Sequence, residues 1–134
     1  MSLSFPSLGR FPNPIDLAQL ATSPPVDRMR LFHPLLPWYI DVHEHQANGV
    51  TVYDVVQQVF FALQQPISAR HYYNEELNSS VRERIAIAFG RRTQGDERER
   101  ASGVKWVDYL EDKVVFVGLV RTRNGLWEMK TVAA

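Results

Sequence analysis

The sequence predicts an α+β fold: an antiparallel sheet of three or four strands including a C-terminal β-hairpin, two main helices packed on one face, and a proline-rich N-terminal arm. Three observations carry this expectation. Trp38, Ile40 and Val42 alternate with Tyr39, Asp41 and His43, the period-2 pattern of a half-buried strand. Two later segments repeat apolar residues at helical spacing behind a capping signature. Near the C-terminus, Asn124 and Gly125 separate two runs rich in strand formers, a strong hairpin signal.

Seven of the eight prolines fall within residues 1–37. Proline offers no backbone donor and restricts the residue before it, so this segment is expected to be an irregular arm, with a single domain over residues 38–134. The arm carries Phe5, Phe11, Leu17, Met29, Leu31 and Leu36, too apolar for a solvated tail, so it should pack on the core. Within it, Asn13, Pro14 and Asp16 match an N-cap, a first-turn proline and an early acidic position, predicting a short helix over "NPIDLAQLA".

After the strand at 38–43, residues 46–49 predict a turn. Thr51 and Asp54 approximate a capping box, and Val52, Val55, Val59, Phe60 and Leu63 form the stripe of a helix that Pro66 must end. Ser68 is placed to cap a shorter helical segment containing His71, Tyr72 and Tyr73. Ser80 and Glu83 make a second capping box, predicting a helix over about residues 81–92 with Val81, Ile85, Ala88 and Phe89 on one stripe. The following "RRTQGDERERASG" mixes both charge signs with glycine and reads as a solvated loop.

For the hairpin, a two-residue turn at Asn124 and Gly125 pairs Val120 with Met129 and Arg121 with Glu128, placing Phe116, Val120, Trp127 and Met129 together. The opposite face still carries Val115, Val117, Leu119 and Val132. A strand apolar on both sides needs two covers. The helices supply one, and either the arm or a second copy of the chain must supply the other. Phe61, opposite the buried stripe of its helix, marks a further contact surface.

The 134 residues are a usual size for one domain, and the 15 basic side chains balance the 15 acidic ones. No overall field gathers nucleic acid or an anionic membrane. Cysteine is absent, which removes disulfides, thiolate ligands and thiol nucleophiles. The N-terminus lacks a signal-peptide pattern, and the longest apolar run, "VVFVGLV", is far too short to span a bilayer. An intracellular protein, cytoplasmic or nuclear, is expected.

The order of "RLFHPLLPWYIDV", "GVTVYDVVQQVFFALQQPIS", "RIAIAFGRR" and "GVKWVDYLEDKVVFVGL", followed by a Trp-containing last strand, resembles an uncharacterised domain family of mushroom-forming fungi, a domain of unknown function. These stretches span roughly residues 29–132 and are packing patterns. The resemblance implies an α+β core and no chemistry, and the proline-rich arm resembles the family's variable leader. Asp41, His43 and His45 match no motif of that family, so it assigns them no role.

Those three residues are the main candidates for chemistry. Alternate strand residues share a face about 6.5–7 Å apart, so Asp41, His43 and His45 could offer a divalent metal such as zinc, iron or manganese three ligands, with His33, His71 or Glu44 as a further one. The polar side of a half-buried strand predicts the same residues without any metal. For acid–base work the candidates are His33, His43, His45, His71, Asp108 and Glu111. Asp108, ahead of Leu110, equally predicts a cap. Arg82, Arg84, Arg91, Arg92, Arg98 and Arg100 could hold a phosphate or an acidic peptide, but interleaved Glu83, Asp96, Glu97 and Glu99 favour a neutralised, solvated surface. No G-x-S-x-G elbow, P-loop or G-x-G-x-x-G occurs.

The expected function is a non-catalytic protein-interaction or self-associating module, with no cofactor and with a protein partner or a second copy bound at Val115, Val117, Leu119, Val132 and Phe61. A small metal-dependent or acid–base enzyme built on Asp41, His43 and His45 is the alternative. A binder of apolar small molecules is a third.

Overall fold

The computed structural model describes residues 19–67 and 78–133. Strands β1 (Arg28–Phe32), β2 (Ile40–His43), β3 (Val115–Arg121) and β4 (Trp127–Val132) form one sheet in the order β2-β1-β4-β3. The α+β class stands, but the sheet is mixed. β1 runs antiparallel to β2 and parallel to β4, so the expected all-antiparallel arrangement is corrected. Part of the segment 1–37 also forms a regular strand instead of an irregular arm. Arg28 and Arg30 are exposed there while Met29 and Leu31 are buried, the same period-2 pattern that marks β2. The helix expected over "NPIDLAQLA" and the one expected after Ser68 lie largely or wholly outside the described residues.

Helix α1 (Val52–Leu63) forms where its local chemistry directs. Thr51 Oγ1 accepts from the Asp54 N–H at 3.2 Å, and Asp54 Oδ2 accepts from the Thr51 N–H at 3.0 Å, a reciprocal capping box. The Val52 N–H, which has no acceptor inside the helix, donates to the Gln19 carbonyl at 2.8 Å. This bond belongs to a strap over residues 19–26 that also joins Ala21 N–H to the Val50 carbonyl and Val50 N–H to the Val26 carbonyl. Gly49 admits the strap. Its φ is 118°, and a Cβ there would sit 2.9 Å from Pro25 Cβ.

α1 packs on β2, and its buried Val55, Val59 and Leu63 meet Met29, Leu31 and Val42. Each such side chain contributes about 1.5–3 kcal/mol by withdrawal from water. Helix α2 (Ser79–Arg92) begins earlier than the capping-box reading, because Asn78 Oδ1 accepts the Val81 N–H at 2.8 Å and makes Asn78 the N-cap. Ser80 instead accepts from Arg84 Nη1. The principal neighbour of α2 is a 3-10 helix (Trp106–Leu110), and its Ile85 joins the same buried core as α1. Trp38 and Trp106 stack at 4.7 Å, linking the start of β2 to that 3-10 helix.

The expected loop after α2 contains a short helix, α3 (Glu97–Ala101), capped by Asp96, which accepts from the Arg98 and Glu99 N–H groups. It forms because the chain is tied down on both sides: Arg92 reaches Glu99 at 2.8 Å and Lys105 reaches the same carboxylate at 3.0 Å.

The hairpin is present, shifted by one residue. Thr122 N–H donates to the Leu126 carbonyl and Gly125 takes φ 81°, so Arg123, Asn124 and Gly125 make a three-residue loop. Leu119 therefore faces Met129, Val120 faces Glu128 and Arg121 faces Trp127. The expected Arg121–Glu128 pair is replaced by a contact between Glu128 and Lys130 at 2.6 Å. A bulge between Phe116 and Gly118 adds a second shift.

Candidate functional site

The structure separates the three residues that alternate along β2. Asp41 Oδ1 accepts from Arg30 Nε at 2.8 Å and Asp41 Oδ2 from Arg30 Nη2 at 3.2 Å, across the β1–β2 ladder. That guanidinium holds the Asp41 carboxyl below the usual carboxylate range. His43 is exposed on the same strand. Its backbone is clasped by the Gln58 side-chain amide, which accepts from the His43 N–H at 2.9 Å and donates to its carbonyl at 2.7 Å. His45 lies beyond the strand end and turns to α1, where its Nδ1 contacts Asp54 Oδ1 at 2.5 Å and its ring meets the edge of Tyr53. Burial pushes the Asp54 carboxyl up, but hydrogen bonds from Thr51 and His45 outweigh it and hold the group below its ordinary value. Among the described residues, no three His, Cys, Asp or Glu side chains cluster so as to hold a metal ion.

His33 is buried, between Thr131 Oγ1 at 2.8 Å and the Leu35 N–H at 3.1 Å. Burial lowers its pKa. Glu44 is half-buried, with its N–H on the Asp27 carbonyl. His71 lies outside the described residues. Asp108 does cap the 3-10 helix, accepting from the Lys105 N–H at 2.9 Å, and is also forked by Arg92. Glu111 follows that helix and pairs with Arg84 at 3.0 Å. Of the arginines around α2, Arg92 is buried while Arg91, Arg98 and Arg100 are exposed among acidic neighbours.

The five surface candidates also divide. The register turns Leu119 toward the core and buries Val115 beside it. Val117 and Val132 stay about half exposed, at 51% and 49%, and Val120 joins them at 51%. Phe61 is 68% exposed on α1, which packs on β2 at the other edge of the sheet from β3. Its surface is therefore separate from that of β3.

The sequence reading missed a groove of about 480 Å³ where β1 begins and the β3–β4 loop folds back. Arg28, Arg30, Asp41, His43, Arg121 and Trp127 line it. Arg30 lies 5.1 Å from the centre of the Tyr39 ring, and Arg121 lies 5.8 Å from that of Trp127. The alternation of "RMRLF" was the available signal.

A model of a family of unknown function, DUF6699, matches residues 2–125. The chain belongs to that family. The match ends at the β3–β4 loop, so β4, the strand joining β1 to β3, lies beyond it. Comparison of this DUF6699 chain with curated proteins and with solved structures finds no match. Among the described residues, no helix is long and apolar enough to cross a membrane.

Proposed function

We propose that this member of DUF6699 is a small, non-catalytic, intracellular module of a fungal family that self-associates through β3, the last strand of the described sheet. The observation that carries the reading is a contrast between the two sheet edges. β2 has four residues, and Gln58 occupies both the N–H and the carbonyl of its His43. β3 has seven residues, stands at the opposite edge, and carries no charge before Arg121. Val117 and Val120 are exposed on it, with Val132 exposed on β4 beside it. A long apolar strand at the end of a sheet is a template for another strand. A second copy pairing β3 with β3 extends the sheet and covers these valines.

Size-exclusion chromatography with light scattering, run over a concentration series, tests this. The expected mass is twice that of the chain, falling toward one chain on dilution. Val120→Lys puts a charge on the edge at an exposed position and should leave a folded monomer. A wild-type chain that stays monomeric throughout the series refutes the reading.

A further inference from the structure

The groove beside β1 is built by strand register. Arg28 stands opposite His43 and Arg30 opposite Asp41, so two cross-strand pairs put four polar side chains on one face of β1 and β2. Arg121 and Trp127, from the β3–β4 hairpin, close a further side. The cavity, about 480 Å³, lies within the range of small-ligand sites.

Its charge is unbalanced where that of the whole chain is not. The chain carries 15 groups of each sign, whereas the groove carries three guanidiniums and one carboxylate. Asp41 is already engaged, since both its oxygens accept from Arg30 Nε and Nη2. That fork orients the guanidinium and leaves its Nη1 hydrogens for another acceptor. Among the described residues, Arg28 makes no salt bridge, and Arg121 contacts the ring of Trp127 and no carboxylate. Two net positive charges in one concavity suit a dianion. A phosphate monoester carries about −1.5 to −2 charge at pH 7 and three acceptor oxygens.

We propose that this groove binds a small phosphate monoester. Arg28 and the Nη1 edge of Arg30 take the phosphoryl oxygens, His43 adds an imidazole N–H donor, and Trp127 forms a wall for the organic part. The concave, single-molecule scale of the site and the zero net charge of the chain favour a small ligand over a nucleic acid strand. The groove shares only Arg121 with β3, and the residues assigned to the ester lie on β1, β2 and β4, so ester binding is tested apart from self-association.

The test is a ¹H–¹⁵N NMR titration of the full chain at low ionic strength with adenosine 5′-monophosphate, ribose 5-phosphate, inorganic phosphate and adenosine. Saturable shifts centred on Arg28, Arg30, His43 and the Trp127 indole are expected with both esters, with none for adenosine. Arg28→Gln, at an exposed position, should keep the thermal melt and weaken ester binding at least tenfold, the loss expected for one hydrogen bond to a charged group. Arg98→Gln, on α3, should change nothing. No saturable ester binding, or ester binding unaltered by Arg28→Gln, overturns the proposal. Inorganic phosphate binding as tightly as either ester also overturns it, because the site would then recognise the free anion alone.

Discussion

Arg92 grips Asp108 with two parallel hydrogen bonds, Nε to Oδ1 at 2.8 Å and Nη2 to Oδ2 at 3.0 Å, and both side chains are almost wholly withdrawn from solvent. Two further Arg92 donors are used as well, Nη1 on Glu99 at 2.8 Å and Nη2 on the Gly103 carbonyl at 3.1 Å. The last residue of α2 is thereby tied to α3, to the turn after it and to the 3-10 helix.

Removing one partner of a buried pair strands the other charge, which costs about 3–5 kcal/mol. Asp108→Ala is accordingly expected to lower unfolding free energy by about that much in urea titrations followed by circular dichroism. The double replacement Arg92→Met with Asp108→Leu leaves no charge stranded between them and should recover much of the loss. Equal damage from single and double variants would show that the fork is not the source.

His33 makes stability depend on pH. The Leu35 N–H donates to Nδ1, so the proton sits on Nε2, which donates to Thr131 Oγ1; the ring is held neutral. Its folded pKa is depressed by burial, so below about pH 6.5, the ordinary imidazole value, the unfolded chain binds a proton that the folded chain resists. Stability is therefore full above that pH and is lost as pH falls toward the folded pKa. The slope from this one group cannot exceed about 1.4 kcal/mol per pH unit. Unfolding curves between pH 7.5 and 5.5 should show the decline, and His33→Gln should flatten it; an unchanged slope in the variant would sink the assignment.

Gly49→Ala should destabilise the protein by about 1–3 kcal/mol, because φ is 118° and the new Cβ would meet Pro25 Cβ at 2.9 Å and Leu20 Cδ2 at 3.2 Å. The strap ought to loosen before the core does. Hydrogen exchange should accelerate first at the Ala21 and Val52 amides, which bond to the Val50 and Gln19 carbonyls.

Glu111 holds φ 59° and ψ −121°, a backbone conformation that suits glycine. Glu111→Gly and Glu111→Ala both delete the half-exposed contact with Arg84. Their difference isolates the backbone. The glycine variant is expected to be the more stable by about 1 kcal/mol in thermal or urea unfolding, and an alanine variant of equal stability would contradict the strain.

What could be read from the sequence follows the range of the interaction. Thr51 and Asp54 announce α1 because the capping box spans three residues, and Trp38, Ile40 and Val42 announce β2 because strand alternation is local. The same alternation in Arg28, Met29, Arg30 and Leu31 was overshadowed by the surrounding prolines. For the hairpin, Asn124 and Gly125 fit either a two- or a three-residue loop. Bonding of Thr122 to the Leu126 carbonyl selects the longer one, and that one-residue shift exchanges Leu119 and Val120 between the core and the surface.

The sequence by itself determined the α+β class, α1, β2, the existence of α2 and the hairpin, and the cap at Asp108, since each rests on contacts between near neighbours in the chain. Tertiary structure decided the parallel pairing of β1 with β4, the separation of Asp41, His43 and His45, the place of β3 at the end of the described sheet and the basic groove beside β1. Each of these depends on which distant strands lie side by side, and the residues that pack them together carry no mark of their partner.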